Sequence, residues 1–345
     1  MSMVLSTVSA IQLCAGCALE FETRVTLGAR DDPAGPGFFA EVLDAGDQGY
    51  LVSSEILGGV VLVYDSEGRY QRELTREGEG PGELIAPPRF AIGTGGILMF
   101  EPGNNRLHLF ARDLEFIRTF QVPGALRVGP IQPDPATGGW LVGYLGEDSF
   151  GILLLDQEGN VARSMQPGAG AANLRGWQAA IRATDGMIWT ASLFGLVELY
   201  DEDLAPLGSI QLELPGMEGW EAPRDGPVGW PAQVNDIRLA PDGSGLWIFA
   251  VAPEERLAEL SVDELRDEFM ANAGPMEQVV DAYIYWVRLD PGGLTVVGMD
   301  NFDTLVRPLG DEDLAFDLFE TPDGNRRARV GRLRLTRTAP DTPDS

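Results

Sequence analysis

A short acidic or glycine-bearing hairpin turn recurs along this chain at nearly constant spacing, and that period limits the fold more than any other feature. Apolar strands run into Tyr64-Asp65-Ser66-Glu67-Gly68, Phe110-Ala111-Arg112-Asp113, Leu155-Asp156-Gln157-Glu158-Gly159 and Tyr200-Asp201-Glu202-Asp203. Counted from Asp65 through Ala111 and Asp156 to Asp201, the steps are 46, 45 and 45 residues. A fixed period of this size belongs to repeated four-stranded units, none of which can bury its own apolar faces alone. The next such turn, Asp290-Pro291-Gly292-Gly293, comes 89 residues later, which calls for a missing unit or a long insertion.

A second turn series decides between the two. Asp47-Gln48-Gly49, Thr94-Gly95-Gly96, Thr137-Gly138-Gly139, Asp185-Gly186 and Asp242-Gly243 each separate two apolar runs, as hairpin turns do. From this turn to the acidic one the gap is about 19 residues in four repeats, and 49 from Gly243 to Gly292. The fifth repeat therefore carries about 30 extra residues and no unit is missing. Near the two ends, Glu20, Glu22 and Arg24 alternate with Phe21, Thr23 and Val25, while Arg332, Arg334 and Arg337 accompany Leu333 and Leu335. Both read as half-buried strands, and pairing them completes a sixth unit and removes the last open sheet edges. The expected fold class is all-β: a six-bladed β-propeller of four-stranded antiparallel blades. Its last blade is closed by the N-terminal strand, and a short helical insertion sits in blade 5.

The expected domains are a leader at 1–19, a propeller at 20–338 with its insertion at 253–280, and a disordered tail at 339–345. The leader is apolar until Glu20 and holds both cysteines, Cys14 and Cys17. Leu13-Cys14-Ala15-Gly16-Cys17 has the form of a lipoprotein cleavage box, making Cys17 the lipid anchor and the protein a periplasmic or outer-membrane one. No basic residue precedes the apolar stretch, as secretion signals normally require, and a start placed too far downstream accounts for that. A plain leader, or a metal or redox role for the CxxC, are the alternatives; a zinc site would need ligands from elsewhere.

The net charge is −28, and all 25 basic residues are Arg. Nucleic acid and anionic membrane are therefore poor partners, so a membrane is reached only through an N-terminal lipid. Cationic ligands, metal ions and basic protein surfaces suit the field, although surface acid also serves solubility alone.

In a four-stranded blade the two hairpin turns open on one face, and here those turns are tight. The other face receives the elaborations: the Gly-Pro loops at 35–38 and 78–84, the Trp-rich stretch 216–231, and the insertion after Val251. Function concentrates on long loops held by a rigid scaffold. Within the insertion Ser261-Val262-Asp263-Glu264 is a capping box, and Val262, Leu265 and Phe269 share one helical face, which predicts a helix over 262–273. That stripe either packs on the blade or covers the central funnel.

The loop Gly78-Glu79-Gly80-Pro81-Gly82-Glu83-Leu84, the Asn104-Asn105-Arg106 turn before the strand Leu107 to Phe110, and the acidic turn after it carry a resemblance. The chain resembles the bacterial six-bladed β-propeller family related to NHL repeats, over nearly everything after residue 20. The resemblance implies the scaffold; activity varies too widely among such proteins for it to imply more.

On the elaborated face, Glu41, Arg89, Gln178, Asn235 with Asp236, and Asp303 start inner strands and line the funnel, while Glu55, Glu101 and Asn104 lie nearby at the far ends of second strands; with Trp177 these make up the candidate ligand-binding set. Trp177, Trp220 and Trp230 offer flat apolar contacts for a sugar or peptide. Val234-Asn235-Asp236-Ile237 followed by Pro241-Asp242-Gly243 is similar to a strand of calcium-dependent gluconolactonase-type propellers. That likeness implies Asn235 as a metal ligand, Asp236 as ligand or general base, and Ca2+ as the cofactor. The lone histidine, His108, reads as a half-exposed strand residue. Schiff-base chemistry is excluded without Lys, and a Ser-His-Asp triad has no serine placed beside His108. The expected function is non-catalytic binding of a protein, peptide or carbohydrate, with a calcium-dependent lactonase or esterase as the alternative.

Overall fold

The computed structural model describes residues 17–28, 39–54, 57–101, 105–121, 127–145, 150–165, 177–182, 186–192, 194–203, 205–215, 232–239, 245–253, 264, 280–290, 293–302, 306–309, 314–320 and 326–337. The chain enters through β1 (Cys17–Leu27). Four strands follow as a meander: β2 (Phe39–Asp44), β3 (Tyr50–Ser54), β4 (Val61–Tyr64) and β5 (Tyr70–Glu73). The next meander is β6 (Arg89–Gly93), β7 (Gly96–Glu101), β8 (Arg106–Phe110) and β9 (Phe116–Gln121). A third holds β10 (Arg127–Pro133), β11 (Trp140–Leu145), β12 (Phe150–Leu155) and β13 (Val161–Met165). A fourth holds β14 (Trp177–Arg182), β15 (Ile188–Ser192), β16 (Leu196–Tyr200) and β17 (Pro206–Gln211). The fifth is β18 (Gln233–Leu239), β19 (Gly245–Pro253), β20 (Val280–Asp290) and β21 (Gly293–Phe302). The chain ends with β22 (Val306–Pro308), β23 (Leu314–Glu320) and β24 (Arg326–Arg337).

Among the described residues these strands form six four-stranded sheets, five of them meanders and the last in the order β1-β24-β23-β22. Every ladder in them is antiparallel. The two ends of the chain meet as the alternating charges demand: Glu20 lies opposite Arg334, Phe21 opposite Leu333 and Glu22 opposite Arg332. The ladder starts earlier than the sequence boundary at Glu20, because Cys17 already pairs in register with Arg337.

Burial explains why the strands read as they do. The second and third strands of the first sheet are buried throughout, whereas the fourth strand of the second sheet alternates half-buried and exposed. A strand covered on both faces needs no polar side, and one at the outer edge does. Consecutive residues of a second strand serve opposite neighbours. Leu51 packs with Phe90, Ile97 and Met99 of the next sheet, while Val52 packs with Leu27, Phe316 and Val330 of the last. Leu98 joins Trp140 and Val142; Leu141 joins Ile188 and Tyr200; Trp189 joins Val234 and Ile248; Trp247 joins Ala315 and Leu333. These six clusters run from sheet to sheet and return to the first, and each fully buried Leu, Ile or Val contributes about 1.5–3 kcal/mol.

Three of the four turns of the 45-residue series share one chemistry. Asp65, Asp156 and Asp201 each accept, on Oδ1, the backbone N–H groups two and four residues ahead. Gly68 takes φ +79 there, and a Cβ on it would lie 2.4 Å from the Thr26 carbonyl oxygen of β1. The first sheet's acidic turn thus abuts the outer strand of the last. Two arginines one repeat apart reach across similar boundaries. Arg118 donates to Asn160 at 2.9 Å, and Arg163 donates to the Glu202 carbonyl at 2.9 Å and to Asp203 at 2.7 Å.

The expected helical insertion lies outside the described residues except for an exposed helical Glu264. Its ends are fixed, since Pro253 pairs with Val280 at the tip of the β19–β20 ladder. The leader before residue 17, the loop 29–38, the stretch 216–231 and the tail also lie outside the described residues.

The end-to-end ladder has a charge test. Glu22→Arg places like charges opposite Arg332 and should lower unfolding stability by about 0.5–1 kcal/mol. Adding Arg332→Glu in the same chain should restore most of the loss in urea unfolding. No recovery in the double variant would mean that the two side chains do not interact.

Candidate functional site

The first strand of each meander, β2, β6, β10, β14 or β18, packs against the first strand of its neighbour, which sets these strands around a common axis. Four of the five carry a register break. It falls between Phe39 and Glu41, between Val128 and Ile131, between Trp177 and Ala179, and between Val234 and Asp236. A bulge of this kind bends a strand and re-aims the next side chain. Gln178 and Asn235 are therefore equivalent, each the extra residue of its bulge, and Glu41 and Asp236 are equivalent as the residues that follow.

Asp236 reaches furthest. Its Oδ1 accepts the Ile237 N–H at 2.7 Å, Arg238 Nη1 at 2.6 Å and Gln132 Nε2 at 3.2 Å. Gln132 belongs to β10, two sheets away from β18, and each of those strands packs on β14 between them. A hydrogen bond that skips a sheet can form only in the space that the first strands enclose. Gln132 and Arg238 are 1% and 4% exposed, and Asp236 keeps 18% of its side chain open. Burial pushes the Asp236 carboxyl above the usual carboxylate range, opposed by the Arg238 guanidinium, the Ile237 amide and the charge of Arg89. Arg89 opens β6, is exposed, and makes no ion pair among the described residues. Within this cluster Gln132 Oε1 and Arg238 Nε are buried without a hydrogen-bond partner among the described residues, as are several side-chain atoms elsewhere in the sheets.

Of the remaining sequence candidates, Glu41 is half-buried on β2, and Asn235 is half-buried at its bulge. Trp177 and Gln178 lie at the start of β14. Glu55, Asn104 and Asp303, with Trp220 and Trp230, lie outside the described residues. Gln132 and Arg238 were not among the sequence candidates. The signal for Arg238 is its place two residues after Asp236, on the same side of the strand. For Gln132 the sequence offers only a polar residue beside Pro133.

Two expectations are corrected. His108 is not half-exposed but fully buried, because β8 is a middle strand with a neighbour on either face. Glu101, expected as a ligand-binding residue at the far end of its second strand, is instead fully buried against the Gly78–Leu84 loop. It accepts the Ile85 N–H and pairs with Arg106 at 2.8 Å and with His108 at 3.4 Å. With its proton on Nε2, His108 donates to Glu101 while Nδ1 accepts from the Thr119 hydroxyl at 3.0 Å. Arg106 also donates to the Glu79 carbonyl at 3.1 Å, so this network fastens the loop to the second sheet. Inside the loop, Glu83 accepts the Gly80 N–H at 2.7 Å and Arg76 Nε at 2.6 Å, and Gly82 takes φ +73 where a side chain would be strained.

The calcium expectation meets a chemical obstacle. Asp236 already neutralises a guanidinium at 2.6 Å, and no group of three or more His, Cys, Asp or Glu among the described residues could hold a metal ion. Calcium takes six to eight oxygens, and the positive charge beside Asp236 opposes a second cation there.

The fold and this axial cluster define the class. The chain is similar to the crystal structure of a member of the DUF4221 family from Bacteroides vulgatus, with 11% identity, TM-score 0.53, and coverage of 93% of this chain and 99% of that one. It is also similar to the Neurospora crassa Pan2 WD40 domain, with 11% identity, TM-score 0.50, and coverage of 92% and 98%. At such identities the likeness concerns the fold: the protein is an all-β protein with a β-propeller architecture. No protein-family model and no curated protein matches the chain.

The buried network predicts a pH signature. Burial lowers the His108 pKa from its ordinary 6.5, outweighing Glu101. Its folded value lies below its unfolded one, so its contribution is complete above 6.5. As pH falls below that, the unfolded chain takes up a proton that native His108 refuses, and stability drops until the folded value is passed. Urea unfolding from pH 8 to 5 should show this slope in the wild type and a shallower one in His108→Asn. Equal slopes would assign the effect to other groups. Separately, Glu101→Gln leaves Arg106 without its counter-charge and should cost about 3 kcal/mol.

Proposed function

We propose that this protein is a six-bladed β-propeller, related to NHL-repeat propellers and closed by its N-terminal strand. In this reading it is a non-catalytic binding protein that takes a protein, peptide or carbohydrate at the face bearing the long connections. The carrying observation is the Gln132–Asp236 hydrogen bond across the axis, flanked by Arg238 and by the open Arg89. A fixed, mostly desolvated polar group at the convergence of rigid strands suits recognition of a ligand. The bulges of the first strands lie toward that same end, as does the Pro253–Val280 pair from which the insertion leaves the β19–β20 ladder. The extracytoplasmic location and the lipid on Cys17 rest on the Leu13–Cys17 box.

The experiment is a binding screen of soluble glycans and basic proteins against wild type and Arg89→Ala. Because Arg89 is exposed, the variant should fold normally, and a ligand of this face should lose at least tenfold in affinity. A ligand that binds both proteins equally would place recognition elsewhere.

A further inference from the structure

The charged side chains beneath the loop 78–85 share one carboxylate. On β8, Arg106 lies opposite Glu101 of β7 and His108 opposite Met99, so all four side chains point to the same side of the second sheet. That side meets the first sheet, because Met99 packs with Leu43, Leu51, Val61 and Val63, and the buried Leu84 of the loop joins the same cluster. The loop closes the end of this seam. Glu101 Oε2 accepts Arg106 Nε at 2.9 Å and lies 2.8 Å from Nη2, with His108 Nε2 at 3.4 Å, while Oε1 takes the Ile85 N–H. Arg106 Nη1 carries on to the Glu79 carbonyl. One carboxylate thus holds the loop at two points, directly at residue 85 and through Arg106 at residue 79. The base of the connection is fixed without it, since Thr75 accepts the Val61 N–H at 2.9 Å and donates to the Gly59 carbonyl at 2.7 Å.

This arrangement accommodates a single cation. The charges bearing on His108 are Glu101 from β7 and Arg106 from its own strand; β9 offers the Thr119 hydroxyl, and the first sheet brings apolar residues to the seam. With the loop down, Arg106 already neutralises Glu101, and neither Glu101 nor His108 is open to water. A proton on His108 would set a second positive charge against the oxygen that Arg106 holds, with no hydration to offset it. We propose that the loop 78–85 is a pH-operated latch, closed while His108 is neutral and released from the second sheet when His108 takes up a proton. Burial holds His108 below its ordinary 6.5, so the closed loop refuses a proton that a raised loop, admitting water, accepts. The state that takes up the proton more readily gains population as pH falls. Ile85 precedes Arg89 by four residues, so the latch moves a connection on the face assigned to binding, yet it stands whether or not that face holds a ligand.

Hydrogen–deuterium exchange of the full chain at pH 7.5 and pH 5, corrected for the intrinsic effect of pH, tests the latch. Wild-type amides over 78–85 should lose about tenfold in protection at the lower pH, while those of β7 and β8 keep theirs. His108→Gln still offers an N–H to Glu101 but takes up no proton, and should keep the loop protected at both pH values. Glu101→Gln should expose the loop at both. A wild-type loop equally protected at the two pH values overturns the proposal, as does a loss shared equally by β7 and β8, an equal loss in His108→Gln, or a protected loop in Glu101→Gln. The contrast between the loop and its two supporting strands is read within the wild type, so it decides even where a variant folds poorly.

Discussion

Every sheet in this protein is apolar on both faces, so each needs a neighbour on either side. Leu51 and Val52, adjacent in sequence, are buried in different clusters with different sheets. The same holds for Ile97 and Leu98, and for Trp247 and Ile248. An open stack of such sheets would leave two large apolar faces in water, and the only arrangement without a terminal face is one that returns on itself. Pairing of β1 with β24 puts Leu27 beside Tyr50 and Val52, which completes the circuit with residues from the start of the chain. Stability and geometry thereby become one constraint, since loosening any boundary loosens the radius at which the first strands meet.

That radius is what makes the axis a site. The first strands converge where there is too little room for a second apolar layer, and the side chains that fill the space are held by strands from different sheets. Bulges at Asn235 and Gln178 turn the following residues relative to the regular pleat. The result at Asp236 costs stability: a carboxylate pushed toward its neutral form, a guanidinium nitrogen and an amide oxygen without partners. Each such atom forfeits about 1–3 kcal/mol of hydration. Apolar residues of similar volume would avoid that cost.

The architecture was legible in the sequence because it is written locally. Turn aspartates, alternating Glu and Arg at the two ends, and apolar runs of four or five residues each report on the few residues around them. The site was legible only in part. Asp236 and Arg89 stood out as charged residues at strand starts, but Gln132 meets Asp236 across 104 residues of sequence, and no local pattern marks that encounter. His108 and Glu101 were misjudged for a related reason. Leu107-His108-Leu109 has the alternation of a half-exposed strand, yet β8 lies between two strands with sheets packed on both faces, and Glu101 ends a strand as a rim residue would, yet a folded loop is fastened over it. Alternation tells which side a residue is on, and only the tertiary structure tells what covers that side.

The absence of lysine fits this use of charge. In a chain of net charge −28, each cation is a scarce connector, and a planar guanidinium can serve several acceptors at once where an ammonium is a single point charge. Arg106 holds Glu101 and the Glu79 carbonyl, Arg163 holds Asp203 and the Glu202 carbonyl, and Arg238 holds Asp236 and the Ile237 carbonyl. In each case one end is a carboxylate and the other a backbone oxygen, so the side chain ties charge to main chain. Arg89, exposed at the start of β6, has neither kind of partner among the described residues, and its charge acts on the Asp236 carboxyl.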